Sequence, residues 1–132
     1  MILLLDTHVA AWGWTLDRRL HRVWHERLVK PSNRVLVSAI TPWEMGIKHA
    51  SGRWPEVGII LSRWEALMDE SGFEQLPMTS RHGLGAAALD WAHRDPFDRI
   101  LAAQSRLEGA RLVTADAWML AYLPDALNPT EG

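Results

Sequence analysis

The chain has 132 residues, of which 48% are hydrophobic and 23% are charged, and its formal net charge is −2. These values are typical of one soluble globular domain spanning residues 1–132, and they exclude a protein that attracts nucleic acid through its overall charge. The sequence contains no cysteine, which excludes disulfides, thiolate metal sites and cysteine nucleophiles.

The first predicted element is a buried strand at residues 2–5, because a continuous apolar run is typical of a parallel sheet. This run ends at Asp6 after only a few residues and has no basic segment before it, so it does not resemble a secretory signal. No other apolar stretch approaches the length of a membrane span. We therefore expect a cytoplasmic protein with no membrane partner.

The next predicted elements are helices at residues 8–14 and 17–29 and a strand at residues 34–38. Basic residues are concentrated between Arg18 and Arg34, which we interpret as the solvated face of a helix rather than a binding patch for a polyanion. The segment TPWE then predicts a helix start. Thr41 is the expected N-cap, Pro42 is the first helical residue, and Glu44 completes a capping box.

The second half of the chain continues the alternation of strands and helices. The predicted elements, in order, are a helix from residue 55 to about residue 70, a weak strand at 73–76, a small-residue helix capped by Thr79, a helix at 97–108, a strand at 111–114, a short helix after Asp116 and an edge strand at 126–128. This alternation predicts an α/β fold with a central parallel sheet of four to five strands and helices on both faces.

Four acidic residues stand at the strand-to-helix junctions of this predicted fold. Asp6 and Asp116 follow strands, whereas Glu44 and Asp98 lie in the first turns of helices that start from the same edge. Ligands of open α/β sheets bind beyond the carboxyl ends of the strands, so the topology is expected to bring the four carboxylates together.

A cluster of carboxylates needs a cation, because the negative charges repel one another. Mg²⁺ and Mn²⁺ prefer oxygen ligands, and such ions polarise phosphoryl oxygens and acidify coordinated water. The pattern therefore predicts metal-dependent phosphate chemistry, with either one or two ions.

Each acid also has a purely structural alternative. Glu44 could complete its capping box, Asp98 could complement a helix N-terminus, and Asp6 and Asp116 could be N-caps. These alternatives account for the acids one at a time. They do not explain why every clear strand-to-helix junction at this edge carries an acid, so the joint pattern favours a site.

Other chemistries lack their motifs in this sequence. The phosphate-binding glycine loops, the serine nucleophile elbow and the paired-histidine zinc helix are all absent. His8 lies two residues from a proposed ligand, whereas a structural or surface role is favoured for His93. Among the eight tryptophans, Trp43 and Trp91 flank the motif segments and are expected to buttress the site.

Four segments together carry a family resemblance: LLLDTHVAAW, VSAITPWEMGIKHASGRW, HRDPFDRILAAQ and LVTAD. They resemble the PIN-domain ribonuclease toxins of VapC type, which belong to bacterial or archaeal toxin–antitoxin pairs. The matching segments follow the family's order from residue 2 to about residue 122. The resemblance implies a three-layer PIN-like fold and a magnesium-dependent endoribonuclease, with Mn²⁺ as a substitute ion.

The resemblance also implies roles for individual residues. By motif position, the catalytic acidic quartet corresponds to Asp6, Glu44, Asp98 and Asp116, of which Asp6 and Asp98 match the metal-binding positions. The supporting positions are Thr7, the small hydroxyl residue beside the first acid, Asp95, a second acid of this subgroup, and His8, which stands where many members carry Asn or Ser.

The partners implied by the resemblance are an RNA substrate and a cognate antitoxin protein whose C-terminal segment blocks the acidic pocket. A homodimer and a toxin–antitoxin hetero-oligomer are expected. Two alternatives remain open: a PIN-like domain that binds RNA or protein with little catalysis, and a housekeeping RNA-processing nuclease. The presence of all four acids favours an enzyme over the first alternative.

Overall fold

The computed structural model describes all residues, 1–132, and contains four strands and eight α-helices. The strands are β1 (Ile2–Leu5), β2 (Arg34–Ser38), β3 (Glu74–Leu76) and β4 (Arg111–Val113). The helices are α1 (Thr7–Thr15), α2 (Arg22–Val29), α3 (Ile40–Ala50), α4 (Gly58–Ser62), α5 (Trp64–Ser71), α6 (Ser80–Ala88), α7 (Pro96–Glu108) and α8 (Ala117–Tyr122), with a 3-10 helix at Pro55–Val57. None of these helices combines the length and apolar character needed to cross a lipid bilayer.

The four strands form one parallel sheet in the order β3-β2-β1-β4. The first strand is central, because Leu4 pairs with Leu36 on one side and with Leu112 on the other. All strands point the same way, so the junctions that follow them lie at one edge of the sheet. The predicted α/β fold with a parallel central sheet is confirmed.

The core lies on both faces of the sheet, because successive side chains of a strand point in opposite directions. Leu3 and Leu5 belong to a buried cluster that includes Trp24 of α2. Leu4, between them, belongs to a second cluster that includes Met119 of α8. The apolar run of β1 thus packs against helices on both sides, which produces the three-layer arrangement.

The helix predicted at residues 17–29 is shorter in the structure and begins at Arg22. Polar side chains bond to nearby backbone before it, which competes with helix formation. The carboxylate of Asp17 accepts a hydrogen bond from the Arg19 N–H at 2.9 Å, and Nδ1 of His21 accepts one from the Val23 N–H at 3.2 Å. The apolar periodicity that predicted the helix therefore starts at residue 17, before the helix itself begins at Arg22.

Two other elements differ from the prediction. The helix expected from residue 55 to about residue 70 is divided into a 3-10 helix, α4 and α5, since Arg63 leaves the helical conformation at φ −120° and ψ 20°. The edge strand expected at residues 126–128 is reduced to one parallel bridge between Val113 and Leu127. Neither difference affects the edge of the sheet where β1 and β2 end.

The central position of β1 predicts a large cost for shortening one of its core side chains. Leu4 is completely buried, so Leu4→Ala is expected to lower the free energy of unfolding by about 2–5 kcal/mol through lost burial and the cavity left behind. Urea denaturation measures this change. Leu84→Ala is the matched control, because Leu84 is 73% exposed on α6 and its truncation should change stability by less than about 0.5 kcal/mol.

Candidate active site

Asp6 links the end of β1 to the start of α1. It is the N-cap of α1, and its Oδ1 accepts a hydrogen bond from the Thr7 N–H at 2.7 Å. Its Oδ2 accepts another from the hydroxyl of Thr114 at 2.7 Å. The Asp6 carboxylate therefore bonds both to its neighbour Thr7 and to Thr114 near the other end of the sequence. Asp6 is only 6% exposed.

Glu44 does not cap its own helix. Helix α3 begins at Ile40, one residue before the predicted N-cap, and it has no side-chain cap. The hydroxyl of Ser38 accepts the Ile40 N–H at 3.2 Å, which allows the helix to begin early, and Thr41 is left inside the helix with no partner for its hydroxyl. The predicted capping box was therefore wrong.

The carboxylate of Glu44 instead bonds to two side chains. It accepts a hydrogen bond from the hydroxyl of Thr7 at 2.6 Å and forms an ion pair with the Nζ of Lys48 at 2.7 Å. Thr7 is completely buried, so the supporting residue predicted beside Asp6 contacts the second acid of the quartet. The Lys48 ammonium balances the charge of Glu44.

Asp95, and not Asp98, caps α7. The Oδ1 of Asp95 accepts hydrogen bonds from the N–H groups of Phe97 at 2.9 Å and Asp98 at 3.3 Å. The Asp98 carboxylate lies in the first turn of α7 but accepts no backbone N–H there, and it lies 2.7 Å from Nε2 of His93.

Asp116 combines a cap with a position beside the other acids. Its Oδ1 caps α8 by accepting the Met119 N–H at 3.0 Å. Its own N–H donates to the hydroxyl of Thr114 at 3.0 Å, and that hydroxyl donates in turn to Asp6. Sequence reasoning missed Thr114, although a hydroxyl residue between a strand and an acid, in LVTAD, was an available signal.

The four acids of the predicted quartet surround one cavity of about 270 Å³. Its lining residues are Asp6, His8, Trp12, Glu44, Lys48, Asp95, Asp98, Ala115 and Asp116. We call this space the acidic cavity. Of the predicted supporting residues, Asp95 and His8 line it, whereas Thr7 lies behind Glu44.

His8 is exposed at the border of the acidic cavity, and its ring is stacked on Trp54 with the centroids 4.5 Å apart. Partial burial and the nearby Lys48 ammonium lower the pKa of His8, which favours the neutral imidazole. This neutral ring adds no positive charge to balance the acids.

The electrostatics of the cavity are dominated by uncompensated negative charge. Burial raises the pKa of Asp6 from 3.8 to about 7, and the charges of Asp98 and Glu44 add to this effect. Burial also raises the pKa of Asp98 to about 6, with further contributions from Asp95 and Asp116, although the contact with His93 opposes the shift. Both carboxylates are therefore in surroundings that disfavour their charged forms.

The donor atoms fit a divalent cation. Carboxylate oxygens are the ligands that Mg²⁺ and Mn²⁺ prefer. Burial and the neighbouring carboxylates disfavour the charged forms of Asp6 and Asp98, and a bound cation would favour these forms. One donor atom from each of His93, Asp98 and Asp116 lies within 4.8 Å of the other two, which is compatible with a shared ion.

Sequence reasoning also missed Arg99, which fixes the segment before α7. Its guanidinium donates to the backbone carbonyls of Ala86, Leu89, Trp91 and His93 over distances from 2.7 to 3.1 Å. The sequence contained a signal for Arg99, which is the arginine of the motif DPFDR. Helix periodicity alone would have placed this arginine on the surface. Through these bonds, Arg99 holds the backbone that carries His93.

The two tryptophans expected to buttress the site have different surroundings. Trp91 stacks on Tyr122 with the centroids 4.3 Å apart and also contacts His93, so it supports the residue that bonds to Asp98. Trp43 contacts the ring of Phe97 edge to face but remains 64% exposed. Of these two tryptophans, only Trp91 contacts a residue that bonds to one of the acids.

Comparisons with known proteins agree with this architecture. The model of the PIN domain family matches residues 3–121. The structure of VapBC2 from Rickettsia felis, bound to a DNA fragment from its promoter, is similar with a TM-score of 0.67 and 17% identity, covering 96% of each chain. A toxin–antitoxin complex from Klebsiella pneumoniae is similar with a TM-score of 0.63 and 19% identity, covering 96% of this chain and 97% of that one. No curated protein sequence matches.

The raised pKa of Asp6 predicts how the stability of the metal-free protein depends on pH. Between pH 3.8 and about 7, the native state binds more protons at Asp6 than the unfolded state does, so the free energy of unfolding falls as the pH rises. Asp6→Asn removes this titration. In a chelator, the stability of the variant relative to wild type should therefore increase from pH 4 to pH 8, by up to about 4 kcal/mol.

Urea denaturation at the two pH values measures this relative stability. Comparing differences across pH cancels the constant cost of losing the Thr114 hydrogen bond. Asp69→Asn is the control, because Asp69 is exposed on α5 and its substitution should give a difference independent of pH. A pH-independent difference for Asp6→Asn would contradict the burial of uncompensated charge.

Proposed function

The chain belongs to the PIN domain family, and on that premise we propose that it is a divalent-metal-dependent endoribonuclease and the toxin of a toxin–antitoxin pair. The observation that carries this proposal is the convergence of four acids on the acidic cavity, two of them with strongly raised pKa values. Structural carboxylates are normally paired or exposed, whereas Asp6 and Asp98 are buried at the carboxyl edge of a parallel sheet with no Lys or Arg partner.

In the proposed mechanism, Asp6 and Asp98 would hold Mg²⁺ or Mn²⁺, and Asp116 would complete the shell around the ion. When bound, the ion supplies Lewis-acid polarisation of the phosphate and positive charge where negative charge develops in the transition state. Asp116 uses its Oδ1 for the cap of α8, and its Oδ2 makes no hydrogen bond within the protein. Asp6 is held in place by Thr7 and Thr114, so its carboxylate keeps one orientation.

Glu44 has a different role in this proposal, because Lys48 already balances its charge. A carboxylate offers about four lone-pair positions, of which Thr7 and Lys48 take two. The remaining positions can accept a hydrogen bond from the attacking water and orient it toward the phosphate. Thr7 keeps the Glu44 side chain aimed at the acidic cavity.

The proposed substrate class is supported by a groove next to the acidic cavity. This groove of about 630 Å³, which we call the basic groove, shares His8, Trp12 and Lys48 with the acidic cavity. It also contains Arg19, Arg53 and Trp54. The three cations of the lining outnumber its two acids, Asp17 and Glu56. Cations beside an aromatic ring suit a single nucleic-acid strand, whose phosphates bind cations and whose bases stack on aromatic rings.

Within the basic groove, Arg53 is the cation best placed to bind phosphate. Its guanidinium bonds only to the hydroxyl of Ser51, at 2.8 Å, and has no acidic partner. Arg19 forms an ion pair with Asp17 at 2.7 Å, and Lys48 pairs with Glu44. The preference for RNA over DNA in this proposal comes from the resemblance to VapC-type toxins.

An antitoxin partner is proposed because both similar structures are described as toxin–antitoxin assemblies, VapBC2 and the Klebsiella complex. Exposed apolar side chains give such a partner a surface to cover, notably Trp43 and Ile47 on α3. We propose a homodimer of this chain within a toxin–antitoxin hetero-oligomer, located in the cytoplasm where its RNA substrates are. The antitoxin would block the acidic cavity.

Removing one acid tests the proposed activity. Asp98→Ala should lower RNA cleavage in Mg²⁺ or Mn²⁺ by more than about 100-fold, because a metal ligand is lost. Cleavage of total cellular RNA and of labelled oligonucleotides by the purified full chain measures the loss, and a chelator should abolish cleavage by wild type. Circular dichroism checks that the variant folds.

The matched control is Asp69→Ala, which removes the same charge from an exposed position on α5 and should cleave RNA like wild type. Full activity of Asp98→Ala would refute the assignment of the site. Absence of cleavage by wild type in either metal would instead favour a domain that binds RNA or protein without catalysis.

Removing one cation tests the basic groove. In the inactive Asp98→Ala protein, the further change Arg53→Ala should weaken binding of single-stranded RNA and reduce the slope of log K against log salt by about 1, because one phosphate contact is lost. Fluorescence anisotropy over a range of salt concentrations measures both quantities. Arg22→Ala, an exposed arginine on α2, is the control and should leave the slope unchanged; an equal effect of both changes would refute the groove.

A further inference from the structure

His93 is the one histidine whose ring nitrogen directly contacts an acid of the site. Its Nε2 lies 2.7 Å from Oδ2 of Asp98, and the side chains of both residues are mostly buried. His93 does not line the acidic cavity itself, but it reaches the carboxylate that does.

The ring of His93 contacts two tryptophans. Trp118 stacks on it with the planes 14° apart and the centroids 5.0 Å apart, and Trp91 contacts it at 4.8 Å. The His93 carbonyl also accepts a hydrogen bond from Arg99 at 3.1 Å. A ligating imidazole is usually oriented by a hydrogen bond to its second nitrogen. Here, stacking gives the ring its orientation.

The distances suit ligation of one ion by His93, Asp98 and Asp116. Ligands about 2.1 Å from an octahedral ion are about 3 Å apart when adjacent and about 4.2 Å apart when opposite. The Nε2 of His93 and Oδ2 of Asp98 are 2.7 Å apart, and the three donor atoms all lie within 4.8 Å of one another. The first separation is close to that of adjacent ligands, and the upper limit for the others is slightly longer than that of opposite ligands.

We propose that His93 is a direct metal ligand and that its imidazole makes this site prefer Mn²⁺ to Mg²⁺. The inference rests on the proposed metal-dependent function and adds a residue that the acidic quartet does not contain. Mg²⁺ binds oxygen ligands and retains its waters, whereas imidazole nitrogen binds divalent transition metals. Replacing one oxygen ligand by nitrogen therefore favours Mn²⁺ at the expense of Mg²⁺.

The alternative role of His93 is to position Asp98 by a hydrogen bond without touching the ion. The substitution His93→Gln separates the two roles, because the glutamine amide can still donate to the Asp98 carboxylate but has no imidazole nitrogen. A positioning role would survive this change in part. Ligation by nitrogen would not survive it.

The test uses the full-length chain, stripped of metal, with Mn²⁺ and Mg²⁺ as the probes. Electron spin echo spectroscopy of bound Mn²⁺ detects a directly coordinated imidazole nitrogen, and titration calorimetry gives the affinity for each ion. Wild type should show the nitrogen signal and bind Mn²⁺ more tightly than Mg²⁺. His93→Gln should lose the signal and weaken Mn²⁺ binding by about tenfold or more, with a smaller effect on Mg²⁺.

His8→Gln is the matched control, because His8 lines the acidic cavity but is stacked on Trp54; this variant should retain the nitrogen signal. Absence of the signal in wild type with bound Mn²⁺ would overturn the inference, and that measurement needs no variant to fold. The inference would also be overturned if His93→Gln weakened the binding of Mn²⁺ and Mg²⁺ by the same factor. Failure of wild type to bind either ion would count against the proposed function itself.

Discussion

The structure depends on one electrostatic constraint, the burial of several carboxylates around one small cavity. Lys48 balances Glu44, but no protein cation contacts Asp6. The threonines on either side of Asp6 supply hydrogen bonds that hold its charged form, and burial still raises its pKa to about 7. The metal-free protein therefore retains an electrostatic cost that a divalent cation would remove, and this cost couples the stability of the fold to the proposed chemistry.

The fold creates this constraint with ordinary local structure. Three of the acids, Asp6, Asp95 and Asp116, are helix N-caps, and each uses one carboxylate oxygen to accept backbone N–H groups. Because all strands are parallel, the helices that these residues cap begin at the same edge of the sheet. Capping and ligand binding do not compete, since a carboxylate has a second oxygen. The structural explanation is therefore confirmed for Asp6 and Asp116, and it is compatible with the proposed metal site.

The sequence predicted the elements and junctions well, because these follow from local patterns. The apolar runs of β1, β2 and β4 and the Asp95-Pro96 start of α7 are readable within a few residues. The partners of the acids are not readable in this way, since Thr7 and Glu44 are 37 residues apart and Asp6 and Thr114 are 108 apart. The early start of α3 depends instead on a local bond between Ser38 and Ile40, which competes with the cap predicted at Thr41. A local capping motif could therefore be recognised at Thr41 and yet be wrong.

The segment from residue 89 to Arg99, which includes the motif DPFDR, supplies several residues of the site and the contacts that position them. Asp95 caps α7, Pro96 occupies its first position, Asp98 faces the acidic cavity, and Arg99 binds four backbone carbonyls around the preceding turn. Arg99 thereby fixes the backbone of His93, while the stacked ring of Trp118 and the tilted ring of Trp91 orient its side chain. Because the imidazole of His93 is held in this way, it cannot move far to suit different ions. The ion that binds best is therefore the one that accepts a nitrogen ligand at this position. This rigidity makes the nitrogen of His93 a determinant of metal preference instead of an adaptable neighbour of the acids.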